Sequence, residues 1–420
     1  MNPRILIYSN NCFSDTDSNG RTLKKFFQNY DKKYLAQFYV QNAYPDYEAC
    51  ANYFRVTDKQ ALKALTGQKP NGEVTEEQCE EKGKGVKTKK NALSMLIRNA
   101  VWNTGLWKSK DYIQWVKKFD PQVVLVQSGD CAFIYKIALR TAKKFGIPIV
   151  IYNSENYYFK KYDYFRAKGF AHYLYPIFHK KYRNAFRKIE KIAAYNIYNS
   201  EELENEYKKV FNNKAVALYT GTAVKKRESY NCSKNFSVCY LGNIGVGRDK
   251  PLLEIAETLN DNLNGCKLNV YGKIYDSVSE KFIDNPLINY HGIVSYEEVV
   301  KIMKNSDLIV HAENFDDYYQ EDLKFAFSTK IADSLACGTP FLVYAPSNMT
   351  CSKYLIRNDA AFVVGNKKEL EKTIQGFVNN TIDLTQHLQN ALNLALQNHD
   401  SNKNSEKLQN ILREVVEKSE

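Results

Sequence analysis

Short apolar runs alternate with amphipathic stretches over most of the chain. Residues 120–127 (DPQVVLVQ) contain one such run, and residues 132–146 (AFIYKIALRTAKKFG) then favour a helix before the next run begins at residue 147. Continuous apolar runs of this length are typical of strands that are buried on both faces of a parallel sheet. Strands that alternate with helices predict βαβ units, so the chain is predicted to be an α/β protein.

The alternation occurs twice, on either side of a polar and basic stretch at residues 223–235 (AVKKRESYNCSKN). A length of 420 residues also favours two domains rather than one. We therefore predict two Rossmann-like domains, residues 1–222 and 223–402, followed by a final helix at residues 403–420. Strands are predicted at 4–9, 36–40, 120–127, 147–152, 194–200 and 215–219, and again at 236–241, 267–271, 288–292, 306–311 and 341–344. The apolar face of the final helix, which should dock on another part of the chain, comprises Leu408, Ile411, Leu412, Val415 and Val416.

Residues 325–346 (FAFSTKIADSLACGTPFLVYAP) predict a loop, a helix and a buried strand. Ser328 or Thr329 can cap the helix, because a side-chain hydroxyl accepts a hydrogen bond from a backbone N–H of the first turn. Lys330 lies in that turn, where its charge is unfavourable for the helix dipole, so a bound anion would explain it. Asp333, one turn further on, can accept hydrogen bonds from a sugar hydroxyl. The alternative interpretation is an ordinary helix with a surface lysine.

Ligands of parallel α/β sheets bind beyond the carboxyl ends of the strands. We therefore expect the segments that follow the strands to converge at one rim in each domain. The predicted rim segments are residues 10–20 (NNCFSDTDSNG), 128–130 (SGD) and 153–155 (NSE) in the first domain, and 242–250 (GNIGVGRDK), 271–273 (YGK) and 330–333 in the second.

The glycine-rich loop at residues 242–250 follows the first strand of the second domain. Its glycines let the backbone approach a ligand closely. Arg248 and Lys250 add positive charge, and arginine suits bidentate phosphate binding. With the two neighbouring rim segments, the loop predicts a diphosphate site that requires no metal. Considered alone, the loop is equally typical of a tight turn with surface charges. The chain has no G-x-G-x-x-G fingerprint, P-loop or zinc motif.

Composition narrows the class of protein. No apolar run approaches the length of a membrane span, and the N-terminus has no signal-peptide layout. The nine cysteines are scattered without metal-ligand spacing, which favours a reducing cytoplasm. A formal net charge of +12 indicates an anionic partner. Since no nucleic-acid-binding signature is present, a phosphorylated substrate or an anionic membrane surface is preferred over nucleic acid.

Two further stretches are strongly basic. Residues 159–191 interleave Lys and Arg with Phe and Tyr, which suits a membrane interface with anionic lipid. The alternative is that the aromatic residues form the core face of a helix and the lysines its solvated face. Residues 67–90 are rich in Gly, Pro and charge and are predicted to be mobile, as a solvated loop or as a lid or membrane-facing arm.

The stretch VCYLGNIGVGRDKPLLEIAETL, with INYHGIVSYEEV, SDLIVHAE and STKIADSLACGTPFLVYAP, resembles the donor-binding half of GT-B glycosyltransferases. It is most similar to the large retaining group that uses nucleoside-diphosphate sugars. The N-terminal half resembles the same group through the Gly20 loop, DPQVVLVQSGD and IPIVIYNSENYY. The resemblance implies two Rossmann-like domains that face each other across a cleft, an acceptor-binding first domain, a donor-binding second domain, and a final helix that crosses back to the first.

Residue by residue, Asp333 corresponds to the second Glu of the family's E-x7-E motif, which is expected to hold the ribose. Arg248 and Lys250 match the basic pair that holds the diphosphate and stabilises the leaving group. Gly20 matches the glycine of the first loop, which approaches donor and acceptor. Phe325 stands where the family has its first Glu, which usually touches the donor sugar. The acidic residues that are candidates to replace that Glu are Glu313, Asp316, Asp317 and Glu321.

Together these arguments predict three sets of site residues. The catalytic residues are Arg248, Lys250 and Asp130. The donor-binding residues are Gly20, Gly242, Asn243, Gly272, Lys273, Ser328, Thr329, Lys330 and Asp333. The acceptor-binding residues are Ser128, Glu155 and Tyr157. Asp130 or Glu155 would orient the acceptor hydroxyl, although either carboxylate is equally suited to capping a helix. His311 and Glu313 are too few to form a metal site.

The resemblance therefore implies a glycosyltransferase of the hexosyltransferase type. It would move a sugar from a UDP- or GDP-linked donor to a glycan or lipid-linked acceptor of surface polysaccharide synthesis, with retention and without cofactor or metal. The protein is expected in the cytoplasm, with peripheral contact to the anionic inner face of the membrane. The alternatives are a sugar-nucleotide epimerase of the same fold and a non-catalytic anion-binding protein with a degenerate donor site.

Overall fold

The computed structural model describes residues 2–15, 17–76, 90–233, 235–263, 265–275, 278 and 280–419. The chain divides into two compact units, the first formed by Met1–Thr220 with Asn402–Glu420 and the second by Gly221–Ser401. Each unit is an α/β domain built on its own sheet. The predicted class of two Rossmann-like α/β domains is therefore confirmed.

The described strands of the first unit form one sheet. They are β1 (Ile5–Ser9), β2 (Leu35–Tyr39), β3 (Asn52–Arg55), β4 (Glu73–Val74), β5 (Val123–Gln127), β6 (Ile149–Asn153), β7 (Ala193–Tyr198) and β8 (Ala215–Ala217). Their order is β4-β3-β2-β1-β5-β6-β7-β8, and neighbouring strands are parallel except β3 and β4. Every residue of β1, β2, β5 and β6 is buried, as their continuous apolar runs predict.

Helices cover this sheet. They are α1 (Ser18–Phe27), α2 (Asp58–Lys63), α3 (Ala92–Asn103), α4 (Lys110–Phe119), α5 (Ala132–Phe145), α6 (Phe170–Tyr173), α7 (Tyr175–Glu190) and α8 (Glu201–Lys208). Short 3₁₀ turns lie at Lys32–Tyr34 and Ala64–Thr66. Part of the segment predicted to be mobile is ordered, because β4 pairs with β3. Residues 77–89 of that segment lie outside the described residues.

The second unit has the strand order of a doubly wound sheet. Its described strands are β9 (Val238–Leu241), β10 (Leu268–Tyr271), β11 (Ile288–Gly292), β12 (Leu308–Ala312), β13 (Phe341–Tyr344) and β14 (Phe362–Val364). All neighbouring pairs are parallel, in the order β11-β10-β9-β12-β13-β14. The order reverses between β9 and β12, and such a switch point is where open α/β sheets bind their ligands.

The remaining helices belong to this unit, apart from the last. They are α9 (Asp249–Asn262), α10 (Glu280–Ile283), α11 (Tyr296–Asn305), α12 (Asp317–Leu323), α13 (Thr329–Ala336), α14 (Thr350–Arg357), α15 (Lys367–Val378), α16 (Thr385–Asn398) and α17 (Ser401–Glu417). The acidic and aromatic stretch at residues 312–325 predicts a long loop from its sequence, but this prediction is wrong, since α12 lies within it. Residues 295–298 (SYEE) predict a capping box at a helix start, and the structure confirms it, with Ser295 and Glu298 at the N-terminus of α11.

The last helix returns to the first unit. Its predicted apolar face is buried in a core cluster with Ile5, Ile7, Phe26 and other residues of the first unit. The face is the one read from the sequence: Leu408, Ile411, Leu412, Val415 and Val416. The predicted docking of this helix is therefore confirmed.

Most aromatic side chains of α7, within the basic stretch at 159–191, are buried in the core of the first unit. Tyr175, Phe178, Tyr182 and Phe186 recur at helical spacing along α7 and are buried, so this helix follows the alternative, core-face interpretation. At the start of the stretch, however, large apolar side chains are exposed: Tyr162, Phe170, Tyr173 and Ile177. Among the described residues, no helix is both long and apolar enough to cross a membrane.

Candidate active site

The switch point of the second unit brings two segments together. Arg248 and Lys250 follow β9, and residues 313–316 follow β12, the strand that pairs with β9. Parallel neighbours end at the same edge of the sheet, so residues far apart in the chain meet there. The basic pair predicted from the sequence therefore lies where such sheets bind ligands.

Arg248 forms a bidentate ion pair with Glu313. Its Nε donates to Oε2 of Glu313 at 3.0 Å, and its Nη2 donates to Oε1 at 2.7 Å. The Arg248 side chain is 19% exposed and that of Glu313 is 5% exposed. Nε2 of His311 lies 3.1 Å from the same Oε1. Planar forks of this kind fix both orientation and distance, and they are among the stronger hydrogen bonds in proteins.

Both partners are held in their charged forms. Burial alone would raise the pKa of the Glu313 carboxyl, but the Arg248 guanidinium and the His311 side chain outweigh it and lower that pKa to about 2. Burial alone would lower the pKa of Arg248, and the carboxylate of Glu313 raises it above its ordinary value. The pair is therefore ionic at neutral pH.

Lys250, two residues after Arg248 in the chain, forms a second and more exposed ion pair. Its ammonium lies 2.9 Å from Oδ2 of Asp316, and the two side chains are 65% and 53% exposed. Between the pairs, Nδ2 of Asn314 donates to the Gly247 carbonyl oxygen at 2.7 Å. Both members of the predicted basic pair thus carry an acidic partner from residues 313–316, the segment expected to replace the missing Glu.

The glycines of this rim bring two turns against each other. The Gly242 N–H donates to the Tyr271 carbonyl at 2.8 Å, and the Ile244 N–H donates to the Lys273 carbonyl at 2.8 Å. Gly272 has a φ of +144°, and a Cβ there would lie 1.9 Å from the Gly242 carbonyl oxygen. Glycine is required at position 272 for both reasons. Packing between turns is thus a structural reason for these glycines, beside the ligand approach that the sequence suggested.

Asn243 and Lys273 belong to the same pair of turns. The Lys273 N–H donates to Oδ1 of Asn243 at 3.4 Å. The side chain of Lys273 is exposed, and its ammonium lies 5.4 Å from the centroid of the Tyr275 ring. The structure therefore places a third cation at the carboxyl edge of the sheet, on the turn after β10.

Ser328 is the residue that caps α13, and the helix begins at Thr329. Its hydroxyl accepts a hydrogen bond from the Lys330 N–H at 3.4 Å. Asp333 is buried, and its Oδ1 accepts from the Thr222 hydroxyl at 2.5 Å and from the Tyr296 hydroxyl at 3.0 Å. This carboxylate ties α13 to α11 and to the start of the second unit, a role that sequence reasoning did not assign to it.

Asp130 lies at the rim of the first unit, beyond the carboxyl end of β5. Its Oδ2 accepts from the Lys90 ammonium at 2.8 Å. Burial alone would raise the pKa of this carboxyl, but the charge and hydrogen bond of Lys90 outweigh it and the pKa is lowered. Asp130 is thus a carboxylate rather than a carboxylic acid at neutral pH. It can accept a hydrogen bond from an acceptor hydroxyl, but its lowered pKa makes it a weak general base.

The predicted acceptor residues divide into two kinds. Ser128 is buried and its hydroxyl lies 2.7 Å from the Tyr135 hydroxyl, so it helps to hold Tyr135 in place, and its contact with the acceptor stays a prediction. Glu155 and Tyr157 are half-buried and two positions apart, and the Tyr157 N–H donates to the Glu155 carbonyl at 3.2 Å. Burial raises the pKa of Tyr157, and the carboxylates of Glu155 and Asp130 raise it further, so the phenol stays neutral.

Gly20 does not lie in the loop where the sequence placed it. It belongs to the first turn of α1, where its N–H donates to Oδ1 of the capping Asp17 at 2.9 Å. A Cβ at this position would lie 2.6 Å from the Cys12 carbonyl oxygen and 2.8 Å from the Ser14 nitrogen. Glycine here allows the helix to pack directly on the preceding loop. Because residues 14–19 are typical of turns, the sequence analysis placed the start of α1 too late, although Asp17 is a suitable N-cap residue.

Sequence reasoning missed the partners of the predicted site residues. Glu313, Lys90, Thr222 and Tyr296 each contact one of them, and only Glu313 drew attention, as a substitute for the missing Glu. Glu313 follows β12 directly, so knowledge of the strand order would have placed it beside Arg248. Among the described residues, no group of three or more His, Cys, Asp or Glu side chains is placed to hold a metal ion.

Residues 248–410 match a family model whose description is "Glycosyl transferase-like". The match begins at Arg248 and spans Glu313 and Asp333. This part of the chain is similar to a glycosyltransferase domain. The sequence-based prediction of a glycosyltransferase, and hence of an enzyme, is confirmed by this match. No curated protein sequence matches the chain.

Solved structures share the fold over nearly the whole chain. Anabaena HepE in complex with UDP is 13% identical, with a TM-score of 0.63, and the alignment covers 98% of this chain and 100% of that one. Sucrose-phosphate synthase from Thermosynechococcus elongatus is 10% identical, with a TM-score of 0.65 and coverage of 98% of each chain. WaaG, a glycosyltransferase involved in lipopolysaccharide biosynthesis, is 13% identical, with a TM-score of 0.56 and coverage of 97% and 99%. At these identities the likeness establishes the fold, which is of the GT-B type.

Proposed function

We propose that the protein transfers a sugar from a UDP-linked donor to a glycan or lipid-linked acceptor of surface polysaccharide synthesis, with retention of configuration. The observation that carries the proposal is the pair of cations, Arg248 and Lys250, at the switch point of a domain that is similar to a glycosyltransferase domain. HepE forms complexes with UDP and with UDP-glucose, which supports a uridine nucleotide over a guanosine one.

In this proposal the leaving diphosphate binds at the rim of the second unit. Breaking the bond between sugar and phosphate builds negative charge on the diphosphate, and fixed cations stabilise that charge. Arg248 supplies an oriented guanidinium, and Lys250 and Lys273 supply exposed ammonium groups. The α13 N-terminus, with Lys330 in its first turn, adds a partial positive charge. The proposal needs no cofactor and no metal.

The acceptor would bind at the rim of the first unit. Asp130 is anionic there, and Glu155 and the neutral phenol of Tyr157 lie close to it. A carboxylate and a phenol together offer the acceptor and donor groups that hydrogen-bond a sugar hydroxyl. WaaG, which has the same fold, is involved in lipopolysaccharide biosynthesis, and that supports a surface glycan as the product.

Thermal unfolding with UDP, GDP, ADP and CMP tests the donor site, because a ligand that binds only the folded protein stabilises it. UDP should raise the unfolding temperature most. Lys250→Gln should weaken UDP binding about tenfold, the usual effect of losing one charged hydrogen bond. Lys367→Gln is the matched control, since Lys367 is also an exposed, paired lysine in the first turn of its helix. The absence of a shift with every nucleotide would refute the proposal.

The proposal places the protein in the cytoplasm, in peripheral contact with anionic membrane. Phe170 and Tyr173 are 71% and 76% exposed, and Lys168, Lys180 and Lys181 lie nearby in the chain. Exposed aromatic side chains beside lysines suit the boundary between lipid headgroups and acyl chains. The wild type should sediment with phosphatidylglycerol vesicles, and a Phe170→Ser/Tyr173→Ser variant should do so several-fold less. Equal sedimentation of both proteins would argue against this contact.

A further inference from the structure

Glu313 is the buried partner of Arg248, and the proposed transfer gives it no direct contact with substrate. We propose that Glu313 is a positioning residue, which orients the Arg248 guanidinium toward the donor diphosphate and stays paired with it when the nucleotide is bound. The inference rests on the proposed function, since it assumes that Arg248 binds the diphosphate.

The geometry of the pair fixes one edge of the guanidinium. A guanidinium has five N–H groups, and the fork with Glu313 uses the one on Nε and one of those on Nη2. Three N–H groups on the remaining edges are left for another acceptor. Because the fork is planar and bidentate, those three groups point in a fixed direction. A diphosphate at the switch point would meet an arginine that is already oriented.

The carboxylate itself is held from a second side. Oε1 of Glu313 receives a hydrogen bond from Arg248 and lies 3.1 Å from Nε2 of His311, and all three side chains are mostly buried. Separating a buried ion pair leaves a charge in a poorly solvated place, which is costly. A phosphate would therefore add to the pair rather than replace Glu313.

The neighbouring ion pair of Lys250 and Asp316 costs less to separate than the buried pair of Arg248 and Glu313. Lys250 and Asp316 are both more than half exposed, and an exposed pair contributes little to stability. Lys250 can therefore exchange its carboxylate partner for a phosphate at small cost. The two cations therefore bind the donor in different ways. Lys250 exchanges Asp316 for a phosphate when the donor binds, whereas Arg248 stays paired with Glu313 and binds a phosphate as well.

Replacing the arginine by a diffusible cation tests this assignment. Calorimetry measures the UDP affinity of Arg248→Ala and of Arg248→Ala/Glu313→Gln, each with and without about 50 mM guanidinium chloride. The same concentration of sodium chloride is the control for ionic strength. UDP should bind Arg248→Ala at least about tenfold more weakly than the wild type. Guanidinium should restore most of that loss when Glu313 is present and none of it in the double variant. Equal restoration in both variants would overturn the proposal, because Glu313 would then not direct the cation.

A second variant retains the arginine and covers the case in which Arg248→Ala does not fold. Glu313→Gln keeps one oxygen acceptor but loses the charged fork, so UDP should bind about tenfold more weakly. Uridine, which has no phosphate, should bind both proteins equally. Glu257→Gln, an exposed glutamate of the same unit, should match the wild type. Tighter UDP binding by Glu313→Gln would overturn the proposal, since it would show that Glu313 competes with phosphate for Arg248.

The outcomes also separate this inference from the proposed function. If the wild type binds no nucleotide, the proposed function fails. If the wild type binds UDP and Arg248→Ala binds it weakly, while Glu313→Gln retains wild-type affinity, the donor site stands and only the positioning role of Glu313 is refuted.

Discussion

At the scale of single residues, Glu190 shows how burial sets the charge of a carboxyl in the first unit. Its Oε1 accepts from Nδ2 of Asn196 at 2.7 Å, while its Oε2 and Oδ1 of Asn196 are buried without a partner. Burial raises the pKa of Glu190 to about 7, although the Asn196 hydrogen bond acts in the opposite direction. A protonated Oε2 is a donor, so the neutral acid can offer the hydrogen bond that the carboxylate cannot.

This residue makes the stability of the first unit depend on pH. The folded pKa lies above the ordinary value of 4.5, so the folded state holds the proton more tightly than the unfolded state. The stabilisation is fully present below pH about 4.5 and is lost as pH rises through about 7. Each unit of pKa corresponds to about 1.4 kcal/mol. Glu190→Gln should therefore raise the free energy of unfolding at pH 8 by about 1–3 kcal/mol and change it little at pH 5.

Denaturant unfolding followed by tryptophan fluorescence measures the effect in the right unit, because the three tryptophans are Trp102, Trp107 and Trp115, all in the first unit. Glu206→Gln removes a carboxylate that pairs with exposed Lys209 and should follow the wild-type pH profile. If Glu190→Gln also followed that profile, Glu190 would not be the group whose pKa is raised.

At the scale of elements, the sequence predicted eleven of the fourteen described strands and missed β3, β4 and β14. It did not predict which strands lie side by side in each sheet. Apolar runs such as that of β5 are long enough to be recognised, and the ends of the predicted strands differ from the observed ends by at most three residues. Elements without a strong pattern were missed. The polar helix α12 resembled a loop because its sequence, DYYQEDL, has no apolar face to recognise, and no residue of it is buried.

The candidate site was predictable only in part for the same reason. Arg248 and Lys250 were found because glycines and positive charge stand together in the chain. Glu313 lies 65 positions away from Arg248, and only the pairing of β12 with β9 brings the two together. Gly20 shows the opposite case: the residue was noticed, but close packing against Cys12 and Ser14, not a loop conformation, requires glycine there.

At the scale of the whole molecule, the chain passes between its two units twice. It leaves the first unit after Thr220 and returns at Asn402, so the first unit is discontinuous in sequence and the second is continuous. The returning helix α17 contributes a row of buried apolar side chains to the core of the first unit. The first unit therefore cannot complete its core until the last part of the chain is present.

Deletion of residues 402–420 should unfold or loosen the first unit while leaving the second folded. The deletion removes five buried apolar side chains from the core, and removing even one such side chain usually costs about 2–5 kcal/mol. A typical domain has only about 5–15 kcal/mol of stability. The tryptophan emission of the variant should shift to the red, and residues 1–220 should be digested by trypsin much faster than in the wild type.

The second unit retains all its residues in this variant, so residues 221–401 should resist trypsin as they do in the wild type. Deletion of residues 418–420 alone is the control, since these residues follow the end of α17 and should be dispensable. Wild-type emission and trypsin resistance after deletion of 402–420 would show that the first unit is stable without its returning helix. Rapid digestion of both units would instead show that the second unit depends on the first for its stability.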